Sequence, residues 1–332
     1  MLRQHLPTLV VVVVALSASG LIAAVRGQDP SSGRSLSHEG YRPQFPTPQL
    51  RDPKRQPQQL PTQQTQPTQQ QQQQSPTPPP STPNNDVTSG DCGTPLTLLT
   101  RIIGGTAAAG GAYPWQAAVQ RGDGSFCGGV IIDARHVLTA AHCTVSGATY
   151  TVGVGSNDLQ AALTPGVGVQ AVTVHPNFQR ATLENDIAIL TLSKALTLND
   201  PAVGVARVCL PQAGADVTRF ATCHVTGWGA TSIQQLATTR WLQTVSVDIQ
   251  TDQTCSSLYA MTFQSNRFCA GDTVNGSRDS CLGDSGGPLV CSEAGRYVLY
   301  GLVSSGVSCA NPRFPGIYTE VAAFVPWILQ NI

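Results

Sequence analysis

Short apolar runs separated by Gly, Pro, Asn and Asp fill the chain from Ile102 onward. Trp115–Val119, Val130–Ile132, Val169–His175, Asp186–Leu192, Leu242–Ile249 and Tyr297–Val303 each have strand length. Val169–His175 and Leu242–Ile249 partly alternate apolar with polar positions, the period of a strand with one buried face. Many short strands with turn residues between them predict an all-β barrel or sandwich. One stretch differs: Val321, Phe324, Val325, Ile328 and Ile332 recur at helical spacing and predict a terminal helix over Val321–Ile332. Residues 102–332 thus read as an all-β domain of 231 residues with a C-terminal helix.

The first third of the chain has a different texture. Arg3 and His5 precede an apolar run from Leu9 to Leu16 that continues less strictly to Val25, with small residues at Ser19 and Gly27. This predicts a cleaved signal peptide over 1–27 and a secreted, extracellular protein. The competing reading is an N-terminal membrane anchor, for which Leu9–Val25 lies at the short limit. Residues 28–91 hold 13 prolines and 15 glutamines among 64 residues, with Gln69–Gln74 unbroken. Such a low-complexity segment cannot bury enough apolar surface to offset its ordering entropy, so it is expected to be disordered.

Charge and cysteine usage narrow the classes. Residues 1–101 carry eight Lys/Arg against five Asp/Glu, and 102–332 carry eleven against fourteen, so neither part is a polyelectrolyte and nucleic acid is not an expected partner. All ten cysteines lie at or beyond Cys92, which points to an oxidising compartment and a disulfide framework. A zinc site would be the alternative, but no C-x-x-C pair exists, and neither metal nor cofactor is expected.

Three local motifs bring chemistry. Thr139-Ala140-Ala141-His142-Cys143 follows an apolar strand, Asn185-Asp186-Ile187 puts a carboxylate at the mouth of another, and Gly283-Asp284-Ser285-Gly286-Gly287-Pro288 sets a serine among glycines. The serine motif also satisfies the G-x-S-x-G elbow of α/β-hydrolases, which requires a triad histidine after the serine. The last histidine is His224, so that reading fails on order. His142, Asp186, Ser285 is instead the order of a chymotrypsin-type triad.

On these motifs, residues 92–332 resemble a zymogen of the trypsin-like, chymotrypsin-fold serine protease family. The resemblance implies two six-stranded antiparallel β-barrels with the active site between them, and hydrolysis of peptide bonds. It makes His142 the general base, Asp186 its orienting partner, Ser285 the nucleophile, and the N–H groups of Gly283 and Ser285 the oxyanion hole. His136, His175 and His224 lack such companions and read as structural.

Further roles follow from the same resemblance. Arg101-Ile102-Ile103-Gly104-Gly105 is similar to the family's activation site: cutting after Arg101 would free the Ile102 α-amino group to pair with Asp284. That implies an upstream trypsin-like activating protease. Residues 92–101 then form the end of a propeptide, tethered by Cys92–Cys209. The other implied bridges are Cys127–Cys143, Cys223–Cys291, Cys255–Cys269 and Cys281–Cys309. Asp279 would floor the substrate pocket, with Gly306 and Gly316 in its walls, so the implied substrates are proteins or peptides with Arg or Lys before the scissile bond. Protein inhibitors are conceivable partners of such an enzyme. Ser305 stands where most relatives have tryptophan, and Ser308 where glycine is usual. Asn275-Gly276-Ser277 is the lone glycosylation sequon and implies a glycan near that pocket. Two other readings stay open: a silent protease homologue acting as a binding cofactor, and an interaction protein that works through its glutamine-rich tail.

Overall fold

The computed structural model describes residues 90–97, 106–231, 237–259, 263 and 266–332. The expected signal peptide, residues 28–89 of the Pro/Gln-rich region and the Arg101–Ile102 bond lie outside them.

After the short strand β1 (Thr106–Ala107) come β2 (Gln116–Arg121), β3 (Phe126–Ile131), β4 (His136–Thr139), β5 (Tyr150–Gly153), the single-turn helix α1 (Leu159–Ala162), β6 (Val167–Val174) and β7 (Ala188–Leu192). Strands β2-β3-β4-β7-β6-β5 close into an antiparallel barrel as β5 pairs back onto β2. The first four residues of β2, Gln116 to Val119, are all buried, because one face fills the barrel and the other is covered. That explains why the sequence reads there as a run without alternation.

The second half contains β8 (Thr222–Gly227), β9 (Gln243–Asp248), α2 (Asp252–Tyr259), β10 (Arg267–Ala270), β11 (Pro288–Glu293), β12 (Arg296–Ser305), β13 (Gly316–Glu320) and α3 (Val321–Gln330). Its sheet runs β1-β9-β8-β11-β12-β13-β10, seven strands where six were expected, because β1 is added outside β9. The ends β9 and β10 meet through one bridge, Ile249 with Ala270, flanked by Gln250 N–H to Cys269 O and Gly271 N–H to Asp248 O. The seam is short because the chain leaves β9 at Asp248 for α2, which the Cys255–Cys269 disulfide ties to β10.

Helices α1 and α2 had no sequence expectation. α1 is one turn, held at its start by Asp158 accepting from Gln160 N–H. α2 buries only Cys255, so it carries no apolar stripe to read. The expected terminal helix stops at Gln330 and contains Pro326. Proline has no N–H to give the carbonyl four residues back, and Gly214 N–H donates to Ala322 O instead. The helix docks through Val321, Phe324, Val325 and Ile328, and its Phe324 and Trp327 clasp His175 edge-on. Burial pushes the pKa of His175 down.

Five disulfides join Cys92–Cys209, Cys127–Cys143, Cys223–Cys291, Cys255–Cys269 and Cys281–Cys309. Beside the first, Gly93 exchanges backbone bonds with Arg207 and Tyr297 at positive φ. A Cβ there would lie 2.2 Å from Tyr297 O, so the segment is seated as part of the domain.

At one place the halves meet through glycines. Gly128 of β3 donates its N–H to Ser285 O at 2.8 Å, and a Cβ on Gly128 would lie 2.7 Å from Gly287 Cα. Both sides of that contact are backbone, so neither can step aside. Gly128→Ala is expected to cost about 1–3 kcal/mol and to lower the melting temperature by roughly 2–12 °C. An unchanged thermal unfolding midpoint would show that the seam yields.

Candidate active site

His142 lies in a 3-10 turn, Ala141–Cys143, at the end of β4, where the Cys127–Cys143 disulfide pins it to β3. Its backbone N–H donates to Asp186 Oδ1 at 2.8 Å, and its ring Nδ1 lies 2.7 Å from Asp186 Oδ2. With Nδ1 carrying the proton donated to the carboxylate, Nε2 is left as the acceptor. Asp186 is 1% exposed. Two more groups hold it from the second half: Ser304 Oγ donates to Oδ2 at 2.6 Å, and Thr319 Oγ1 donates to the backbone carbonyl at 2.9 Å. The β12–β13 register shifts between Val303 and Ser305, and Ser304 sits in that irregularity. Such a shift is how a strand re-aims one side chain.

Ser285 occupies the loop between residues 281 and 287. Asp284 N–H donates to Cys281 O, Gly286 N–H to Val303 O and Gly287 N–H to Asp284 O. Among the described residues, the N–H groups of Gly283 and Ser285 have no acceptor. Gly283 and Gly286 hold φ of 95° and 78°, left-handed conformations that favour glycine. The structure brings His142 and Asp186 into direct contact and places Ser285 on the adjoining loop, without a hydrogen bond from Ser285 Oγ to Nε2. Such bonds are often long in unliganded enzymes. Cys143 Sγ lies 3.7 Å from both Nε2 and Ser285 O, bridging the two neighbourhoods. Cys127, His142 and Cys143 cluster as metal ligands would, but both sulfurs are spent in the disulfide.

Ser285 shares a cavity of about 360 Å³ with Asp279, Ser304, Ser305, Gly306 and Gly316. Leu282 and Val307, 57% and 64% exposed, stand at its lining. The Asp279 carboxylate accepts from the N–H groups of Ser280, Ala310 and Gly316. Its pKa is nonetheless pushed up to about 7, because burial outweighs those donors and the Asp284 charge adds to it. A Cβ at Gly316 would lie 2.8 Å from Asp279 Oδ1, so glycine there makes room for the carboxylate. Gly306 faces open space, its absent Cβ 4.0 Å from Gly316 Cα.

Asp284 lines a second cavity of about 380 Å³, together with Thr244 and Val245. Its carboxylate accepts from Gly229 N–H at 2.8 Å and Cys281 N–H at 2.9 Å, and burial raises its pKa to about 6. Glycines at 227 and 229 admit it: a Cβ on either would lie within 2.5 Å of its carboxyl group. Strand β1 pairs its Thr106 with Thr244, which lines this cavity.

Sequence reasoning missed three supports. Ser304 and Thr319 carry no local signal, since their partner lies more than a hundred positions away. Arg180 was also missed; it donates to His142 O and Thr144 O and so braces the histidine turn. Asn275 is exposed, while the hydroxyl of Ser277 donates to Asp272 at 2.7 Å.

The Trypsin family model matches residues 102–328. The chain belongs to the trypsin family. It is 36% identical over 232 residues to "Trypsin" of Sus scrofa, covering 70% of this chain and 96% of that protein. It is also 36% identical over 263 residues to "Transmembrane protease serine 5" of Homo sapiens, covering 74% of this chain and 56% of that one. For "Transmembrane protease serine 9" of Rattus norvegicus the identity is 37% over 236 residues, 69% of this chain and 22% of that one. The chain thus spans about half or less of the length of these two transmembrane relatives. Among the described residues of this trypsin-family chain, no helix is long and apolar enough to cross a membrane. The support of Asp186 within the trypsin-family domain is measurable. Ser304→Ala removes a donor to a buried carboxylate and is expected to cost about 1.5–3 kcal/mol. A melting temperature equal to wild type would show that this hydrogen bond adds nothing.

Proposed function

We propose that the protein is a secreted serine endopeptidase, made as a zymogen and cleaving after Arg or Lys. The observation that carries this reading is the buried Asp186 carboxylate bonded to His142 beside a serine loop with two unused N–H groups. A serine hydroxyl is too weak an acid to attack at neutral pH, so His142 Nε2 takes its proton as Ser285 Oγ bonds to the scissile carbonyl carbon. Asp186 fixes the imidazole tautomer and stabilises the imidazolium. The charge growing on the carbonyl oxygen meets the N–H groups of Gly283 and Ser285, each such donor contributing about 2.7–4 kcal/mol. The imidazolium then protonates the leaving amine, and water hydrolyses the acyl-enzyme by the same route in reverse.

Asp279 supports the choice of Arg or Lys. A carboxylate whose pKa burial has raised is one that a cation would stabilise, and a guanidinium entering the 360 Å³ cavity supplies it. Asp284 stands in the same position toward the Ile102 ammonium released by cleavage after Arg101. The five disulfides favour an oxidising, extracellular setting, with Cys92–Cys209 keeping the Pro/Gln-rich tail attached after activation and Asn275 carrying a glycan. All three triad residues are present, which weighs against a silent binding cofactor. A serine-directed covalent reagent applied after cleavage at Arg101 is the deciding experiment: no labelling of Ser285 would sink the enzymatic reading.

Two predictions follow from the carboxylates. Asp279→Ser is expected to reduce cleavage after Arg by ~10⁴–10⁵, the discrimination of a site built around a buried polar contact. Activity within about tenfold of wild type, far short of that magnitude, would remove Asp279 from the pocket floor. The second concerns pH. A free α-amino group titrates near ~7.7–8.0, and pairing with Asp284 raises that value in the active state. Stabilisation of the active state is therefore complete below the unpaired value and lost as pH rises through the paired one. Activity falls at alkaline pH while the disulfide-bonded fold persists. Selective acetylation of the Ile102 amine after cleavage is expected to abolish activity at every pH, and full activity of the acetylated enzyme would refute the pairing.

A further inference from the structure

We propose that Arg267, with its neighbour Asn266, is a positioning residue for the His142–Asp186 couple, acting through the loop 182–185. This rests on the proposed role of that couple in proton transfer. Arg267 opens β10 and is 9% exposed, a cation taken almost wholly out of water. Its two terminal nitrogens lie 3.5 Å from Thr182 O and 3.5 Å from Glu184 Oε1, while Nε is buried with no hydrogen-bond partner. Asn266 Nδ2 donates to Asn185 Oδ1 at 3.2 Å. A buried guanidinium so incompletely bonded costs stability, which argues that its task is to set a geometry.

The segment it touches needs setting. Leu183 and Asn185 hold φ of 53° and 55°, and a left-handed leucine persists only where its surroundings over-determine it. The next residue is Asp186. Arg267 pairs in register with Thr319 on β13, and Thr319 with Leu302 on β12, two residues before Ser304. Three adjacent strands of the second half therefore reach one stretch of chain: Ser304 and Thr319 hold Asp186 itself, and Arg267 holds the strained residues leading into it. Freed of Arg267, the loop keeps its own bonds, Leu183 N–H to Gln179 O, Gln179 N–H to Glu184 O and Asn185 Nδ2 to Asn177 O, but loses its tie to the second half, and Asp186 shifts against His142 Nδ1. The other groups facing His142, Arg180 at its carbonyl and the Cys127–Cys143 sulfurs, hold the histidine turn and not the loop at 182–185.

The test uses the full chain cleaved after Arg101, with a small peptide amide ending in Arg as substrate. In Arg267→Met, kcat is expected to fall by on the order of a hundredfold, the scale of an ångström-sized misplacement. KM stays near wild type, because the Asp279 cavity does not include Arg267. The acid limb of kcat moves to lower pH, since an imidazolium further from its carboxylate is less stabilised. The melting temperature stays close to wild type, because Glu184, 27% exposed in its side chain, regains water. Arg267→Lys, which keeps the cation, restores part of kcat. An unchanged kcat, or a fall in kcat with an unmoved acid limb, overturns the proposal. If Arg267→Met does not fold, Asn266→Ala, which cuts the Asn185 contact alone, is expected to show the same shift to a smaller extent, and an unmoved profile there overturns it equally. An inactive wild-type enzyme that the serine reagent also fails to label is a different outcome: it removes the proposed function itself.

Discussion

A carboxylate with almost no access to water survives only where donors are aimed at it, and Asp186 is that group here. Its carboxylate accepts from the backbone and ring of His142 in the first barrel and from Ser304 on β12, while Thr319 on β13 holds its main-chain carbonyl. The two halves thus meet at Asp186, whose bonding from both sides leaves His142 Nε2 and Ser285 O each 3.7 Å from Cys143 Sγ.

Two half-buried carboxylates, Asp279 and Asp284, line the cavities on either side of the serine loop. Asp279 and Asp284 also accept backbone N–H groups, yet their pKa values rise to about 7 and about 6. Backbone dipoles are weaker partners than a full positive charge, so burial wins at both sites. One fold thus contains an acid whose bonding is filled from within and two whose bonding is suited to an incoming cation. Under the proposed function, substrate fills one and the chain's own new terminus fills the other.

Much of this was legible in the sequence because it is local. Strand-length apolar runs marked β2, β3, β6, β7, β9 and β12, and the spacing of Val321, Phe324, Val325 and Ile328 marked α3. The motifs around His142, Asp186 and Ser285 were visible because each is contiguous and glycine leaves a trace where the backbone turns sharply. What stayed hidden depends on partners far along the chain. Ser304 is one serine among several until the β12–β13 register aims it at Asp186. Arg267 reads as an ordinary surface arginine until β10 places it beneath the loop at 182–185. α2 gave no periodic signal because a disulfide holds it in place of an apolar face. The second sheet differs from the expected six strands because β1 joins β9 by only two residue pairs, too short a strand for any pattern to announce.

The glycine contact between Gly128 and the serine loop has a consequence for tolerance. With 2.7 Å between a hypothetical Cβ and the opposing Cα, the two backbones run too close together to admit a side chain at Gly128. The Gly128 N–H bond fixes the carbonyl of Ser285 across that gap. The serine thus takes its position from the opposite barrel's main chain, so changes in side-chain packing reach it weakly while any rigid-body slip of one barrel reaches it undiminished. Its placement behaves like a machined fit, insensitive to wear on the surfaces around it and intolerant of misalignment between its two halves.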